Sequence, residues 1–251
     1  MKLFLSPAKR LDVSPNPDWP RATNPSFGNE AEKVMNELKS LNAKQLQELM
    51  GISKDLAQEN VVRYAEWSAK TRKHGLYAAH MFDGEVYRGL KESEISANGW
   101  KYLQKNMFIL SGLYGVLRPL DKVMPYRLEM GTQLPVGDSK NLYEFWGESL
   151  TDFINEKSRK NEVLLNLSSQ EYMKVLHKDK LHGKLTDVKF LDMHQGKLKQ
   201  ITVYFKKARG AMVNYCARNA AKTLEDVKAF DDMGYAYNDN LSEDNLLVFT
   251  R

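Results

Sequence analysis

One stretch constrains the chain more than any other: residues 107–131, MFILSGLYGVLRPLDKVMPYRLEMG. The apolar run Met107-Phe-Ile-Leu110 reads as a short buried strand, yet Gly112, Gly115, Pro119 and Pro125 come after it at close intervals. Glycine permits turns and close backbone approach, and proline fixes the backbone. The chain must therefore turn several times inside a hydrophobic region, and Arg118 and Arg127 sit at those turns. A side chain presented beside a buried strand is held more firmly than one on a loose loop. The two arginines read either as ligand contacts or as members of structural ion pairs.

The remaining segments interleave strand and helix patterns irregularly. Residues 2–5 read as a buried strand followed by a Ser6-Pro7-Ala8-Lys9 turn, and the proline-rich residues 14–28 as an extended surface loop. Helices are expected over residues 29–41, 43–50 and 54–67, with Ser53 capping the third. A basic loop over 68–75 and an ambiguous apolar run over 76–81 come next. Ser96 caps an expected helix to Lys105. Residues 141–159 read as one long helix, and residues 162–167 as a second buried strand. Residues 168–171 are expected to cap a helix to His177. Residues 186–192 and 198–205 read as an antiparallel pair around Gln195-Gly196, with Ile201, Val203 and Phe205 alternating along the second strand. That strand would deliver Lys206, Lys207 and Arg209 to the start of a helix over 208–220, where three cations and the helix dipole repel one another unless an anion or acidic neighbours are present. Glu129 is a candidate acidic neighbour. An acidic helix over 223–230 and short strands over 234–237 and 246–249 close the chain. Residues 1–251 are expected to form a single α+β domain: one compact mixed unit whose central sheet, largely antiparallel or mixed, is surrounded by helices and includes a helix-hairpin-helix-like element.

That element is carried by residues 49–57, LMGISKDLA. The segment resembles the helix-hairpin-helix motif, in which a tight apolar-Gly-apolar turn aims backbone N–H groups at a phosphate and the next helix adds the positive end of its dipole. Gly51, Ile52, Ser53 and Lys54 would make that contact, which is blind to base sequence. Ser53 stands where the motif usually has a second glycine. The other reading is an ordinary helical hairpin with a capped second helix.

Charge points in the same direction. The 251 residues carry a net +5, but residues 171–222 hold twelve Lys/Arg against four Asp/Glu, while residues 225–251 are net −5. Concentrated positive charge draws polyanions, although a solvated lysine-rich surface has the same composition. One cysteine, Cys216, forms no internal disulfide and favours a reducing compartment. The apolar run in residues 1–12 is too short for a signal sequence, and no stretch of about 18 apolar residues occurs. The expected location is cytoplasmic, with no membrane partner, and a monomer is the favoured state.

Several chemistries lack their signatures. There is no GxGxxG or GxxxxGK[ST] segment, so no nucleotide cofactor is expected. The five histidines show no HxxxH or HExxH spacing, and no metal site is expected. Ser6 and Lys9 form a Ser-x-x-Lys pair, but its companion Ser-Asp-Asn and Lys-Thr-Gly motifs are missing. Cys216 reads as a buried structural thiol rather than a peroxide sensor, which needs exposure.

The segments LSPAK (5–9), FDGEVYRGL (82–90), LSGLYGVLRPLD (110–121), PYRLEMG (125–131), NLYEFWG (141–147), NLSSQEY (166–172) and FKKARG (205–210) span nearly the whole chain. In this order they resemble the YaaA peroxide-stress protein family. The resemblance implies a cytosolic protein induced by hydrogen peroxide, associated with limiting unincorporated iron, with a compact mixed fold and a basic cleft that binds double-stranded DNA. On that reading residues 51–54 grip phosphate, Lys9, Arg118, Arg127, Lys206, Lys207 and Arg209 line the cleft, and the protein binds DNA without strong sequence preference, either shielding it from iron-driven damage or assisting its repair. The alternative is an enzyme acting on a nucleotide or small anion in the same cleft, with Ser6, Tyr126 or Glu129 moving the proton.

Overall fold

A computed structural model of the protein describes residues 1–69 and 75–251; most of the basic loop expected over 68–75 lies outside these residues. The strands Lys2–Leu5, Met107–Ser111 and Val163–Asn166 are short, strongly apolar and buried. Strands covered on both faces read as continuous apolar runs, and these pair in parallel. Lys2–Leu5 lies at the centre, with Met107–Ser111 on one side and Val163–Asn166 on the other. Lys184–His194 extends the sheet in parallel beyond Val163–Asn166, and Leu246–Thr250 continues it. Antiparallel partners sit at the margins: Gly115–Leu117, Lys197–Lys199 and Ala236–Tyr237. The result is an eight-stranded mixed sheet with a parallel centre, whose antiparallel pairs lie at hairpins and edges, beside two small two-stranded antiparallel sheets; it is a mixed α/β fold of the kind expected.

From Lys2–Leu5 the chain crosses to Met107–Ser111 on one side and later returns to Val163–Asn166 on the other. The loops leaving Lys2–Leu5 and Val163–Asn166 at their carboxyl ends therefore diverge, and such a switch point opens a crevice.

The hairpin helices form at Ala43–Met50 and Lys54–Glu66. Asn42 and Gln45 make a capping box for the first, and the Ser53 hydroxyl accepts from the Leu56 amide at 3.3 Å to cap the second. Ser96 caps Ala97–Asn106 through the Gly99 amide. Residues 12–23 strap the body: Trp19 stacks on Tyr77 and packs tilted against Trp100, with ring centroids 5.2 and 4.1 Å apart, and Thr23 bridges Asp121.

Three expectations fail locally. The single helix over 141–159 is two, Leu142–Trp146 and Ser149–Lys157, broken at Gly147, whose φ of 46° lies outside helical space. The helix starting at Ser169 covers only Gln170–Met173. Residues 198–205 are not one strand: pairing ends at Lys199, and an 18-residue helix runs from Thr202 to Asn219. Tertiary packing overrides the alternation of Ile201, Val203 and Phe205. The helix docks on Glu85–Leu90 through two glycines. A Cβ on Gly210 would lie 1.7 Å from the Val86 carbonyl oxygen, and one on Gly89 would lie 2.0 Å from that of Lys207. Only paired helical backbones without side chains at the crossing reach this separation.

Candidate functional site

The crevice at the switch point is a cavity of about 430 Å³. One wall is the segment after Lys2–Leu5, residues 6–10. The opposite wall comes from Leu167, Ser169, Glu171 and Tyr172, just beyond Val163–Asn166. Residues 126–129 close one side, residues 82–88 another, and Lys206 and Arg209 reach in from the long helix. The strand ends explain the placement. Ser6 continues the central strand, and its Oγ accepts from the Ser169 amide at 2.8 Å, tying the two divergent loops together. Tyr87 donates to the Ser6 carbonyl at 3.0 Å, Tyr126 and Ser111 share a hydrogen bond of 2.6 Å, and Glu171 Oε1 accepts from the Gly131 amide at 3.0 Å.

Phe82, Tyr87, Tyr126 and Tyr172 are all under a tenth exposed and give the cavity an aromatic lining. Burial pushes the three phenols upward from their ordinary range, so they remain protonated. Tyr126 is thus a hydrogen-bond donor or acceptor here, not a ready base.

The charged lining is mixed. Lys9, Arg10, Arg88, Arg127, Lys206 and Arg209 face Asp83, Glu85, Glu129 and Glu171. Lys9 Nζ lies 2.8 Å from Glu129, and Arg127 lies 3.7 Å from the same carboxylate. Arg10 and Arg88 both pair with Asp83, and Arg88 also with Glu85. Glu129 therefore answers Lys9 and Arg127, not the cations of the long helix. Lys9 is held by Glu129 and not by Ser6, so the Ser-x-x-Lys spacing does not assemble a nucleophile with its base. Among the described residues, Lys206 and Arg209 have no carboxylate partner at ion-pair distance. Arg209 lies over the Phe205 ring at 5.0 Å, and burial lowers its pKa while the Asp187 carboxylate opposes the shift. Among the described residues its buried Nε has no acceptor, and neither does Arg127 Nε.

The structure thus gathers Ser6, Lys9, Tyr126, Arg127, Glu129, Lys206 and Arg209 around one cavity. Two residues expected there are placed elsewhere. Arg118 is turned to Asp121, whose carboxylate also accepts from the Arg118 amide at 2.7 Å. Lys207 pairs with Glu85 at 3.7 Å and does not line the cavity. On a helix Lys206 and Lys207 point about 100° apart, whereas a strand reading lets both be assigned to one end. Residues of the cavity that sequence reading passed over include Tyr87, Ser169 and Glu171. Their signal was weak, because each lies just beyond a strand end whose neighbours are known only from topology.

Gly51, Ile52, Ser53 and Lys54 are outside the cavity. Gly51 adopts φ 61° with open space about its Cα, and Ser53 and Lys54 are exposed. The second hairpin helix is nevertheless tied to the cavity wall: Tyr64 donates to the Arg127 carbonyl at 2.5 Å. Among the described residues, no three His, Cys, Asp or Glu side chains converge as a metal site, and no helix is long and apolar enough to cross a membrane.

Fold and cleft together define a mixed α/β protein with a charged, aromatic-lined cavity at the carboxyl ends of parallel strands. The chain belongs to the peroxide stress protein YaaA family, whose model matches residues 1–241. It is 42% identical over its full length to UPF0246 proteins from Marinomonas sp. strain MWYL1 and Flavobacterium psychrophilum, covering 97% and 100% of those chains. A UPF0246 protein of Bordetella petrii is 40% identical across 99% of its length. The family places the protein in the response to peroxide stress.

Proposed function

We propose that the protein binds double-stranded DNA without strong sequence preference and limits its oxidative, iron-dependent damage during peroxide stress. The observation that carries the reading is the exposed hairpin turn. Left-handed Gly51 stops the first helix and leaves the N-terminus of Lys54–Glu66 open to solvent. The first amides of a helix have no intrahelical acceptor, and the Ser53 side chain satisfies only that of Leu56. The amides of Lys54 and Asp55, the helix dipole and the Lys54 ammonium are available to a backbone phosphate. Asp55 places one opposing charge in the same turn. The link from Tyr64 to Arg127 joins the hairpin to the cavity wall, which supports one surface serving both.

The test is a salt titration of binding to a short duplex of arbitrary sequence. Log affinity should fall linearly with log salt, with a slope near −0.9 for each phosphate engaged. Lys54→Ala should weaken every duplex alike and reduce the slope by about one unit. A flat salt response, or full retention of binding in Lys54→Ala, overturns the hairpin as the DNA contact.

A further inference from the structure

A volume of about 430 Å³ fits a small molecule, not a duplex. A surface that meets DNA only through its phosphates has no use for a recess lined by aromatic residues. The cavity's chemistry is also divided. Its lining includes the buried residues Phe82, Tyr87 and Tyr126, with the ring centroids of Phe82 5.5 Å from Tyr87 and 6.3 Å from Tyr126. Their polar atoms are already engaged: the Tyr87 hydroxyl by the Ser6 carbonyl and the Tyr126 hydroxyl by Ser111. This leaves apolar ring surface to face a ligand. The cationic groups are Lys206, exposed at the rim, and Arg209, largely buried. Among the described residues neither has a carboxylate partner within ion-pair distance, although Arg10, Arg88, Lys9 and Arg127 on the same walls all do. A buried guanidinium N–H is costly to leave without an acceptor, and among the described residues the Nε groups of Arg127 and Arg209 have none, Arg209 being met only by the Phe205 ring face and the field of Asp187.

We infer that the cavity is a pocket for one nucleotide unit, with an aromatic base against the Phe82, Tyr87 and Tyr126 rings and its phosphate on Arg209 and Lys206. Stacking is tolerant of base identity because every base has a π-face, and guanidinium groups match phosphate geometry. Glu171, whose Oε1 is held by the Gly131 amide, leaves its other oxygen to accept from a base N–H. The nucleotide can come from two sources with the same chemistry: a free nucleoside monophosphate, or a nucleotide swung out of a duplex. The second source rests on the DNA-binding function proposed for the hairpin; the first does not.

Isothermal titration calorimetry with AMP, GMP, CMP and TMP tests the free form, with the parent nucleosides and inorganic phosphate as controls. At least one monophosphate should bind with Kd below about 1 mM, and its nucleoside and inorganic phosphate at least about tenfold more weakly. Arg209→Gln should lose at least about tenfold, with Arg209→Lys retaining part of the affinity. Lys206→Ala, at an exposed position, gives the same direction should the Arg209 variants fold poorly, and Lys101→Ala is the surface control. The duplex form is tested with 2-aminopurine opposite an abasic site: its fluorescence should change on binding, and Arg209→Gln should abolish the change. Duplex binding with unchanged 2-aminopurine signal and no mononucleotide binding overturns the pocket and leaves the DNA reading standing. Mononucleotide binding without duplex binding does the reverse. Inorganic phosphate binding as tightly as the nucleotides overturns the base site.

Discussion

Asp121 is buried beneath the strap, accepting from the Thr23 hydroxyl at 2.5 Å and from the Arg118 amide at 2.7 Å. Burial outweighs these donors and pushes its pKa up to about 6. The folded state then holds the proton more tightly than the unfolded chain, where a carboxyl titrates near 3.9. The contribution of Asp121 to stability is full below about pH 4 and is lost as pH rises through about 6. In urea unfolding, the stability of the wild type minus that of Asp121→Asn should fall between pH 4 and pH 6 and level off above 7. A difference independent of pH would show that Asp121 titrates as it does in the unfolded chain. Cys216 gives a second residue-scale prediction. It is fully buried, and desolvation drives its thiol up to about 12, so it forms little thiolate near neutrality. The native protein should react with Ellman's reagent only at the rate at which the structure opens, and fully in denaturant. Rapid stoichiometric reaction of the folded protein would return Cys216 to consideration as a sensor.

At the scale of elements, the crossing of Glu85–Leu90 and Thr202–Asn219 is the joint that sets the site. Gly89 and Gly210 let the backbones approach, and this fixes where Arg209 enters the cavity and turns Lys207 to Glu85. Gly210→Ala has no flexible side chain to displace, only the Val86 carbonyl and the Leu90 amide. Overpacking a core typically costs about 1–3 kcal/mol; here backbone must separate, so a loss of about 3 kcal/mol or failure to fold is expected, read from the urea midpoint. Gly28→Ala, with nothing within 4 Å of its added Cβ, should stay near wild type. Equal stability of Gly210→Ala and Gly28→Ala would refute the close crossing. The hairpin behaves differently. Its boundaries, its turn and the cap of its second helix were legible in residues 43–57, because Gly51 and Ser53 act on their own chain neighbours.

Across the whole molecule, a single core cluster joins the strands to the hairpin helices, the strap and the long helix. Trp67, Trp100 and Trp146, contributed by distant parts of the chain, are all buried in it. Thermal unfolding followed by tryptophan fluorescence and by far-UV circular dichroism should therefore give coincident midpoints; separated midpoints would mean that part of the cluster melts independently. The sequence by itself determined the features that act locally: the three apolar central strands, most helix starts, the hairpin turn and the burial of Cys216, since each arises from periodicity, capping groups or turn residues within a few positions. Family membership was also readable there, because ordered segments persist from residue 5 to residue 210. Only the tertiary structure decided the parallel centre of the sheet, the helical state of residues 202–205, and which cations face the cavity. Those outcomes depend on contacts between segments far apart in the chain. The switch of strand order places Ser6 beside Ser169, and two glycines with no other mark in the sequence bring Arg209 to the same cavity.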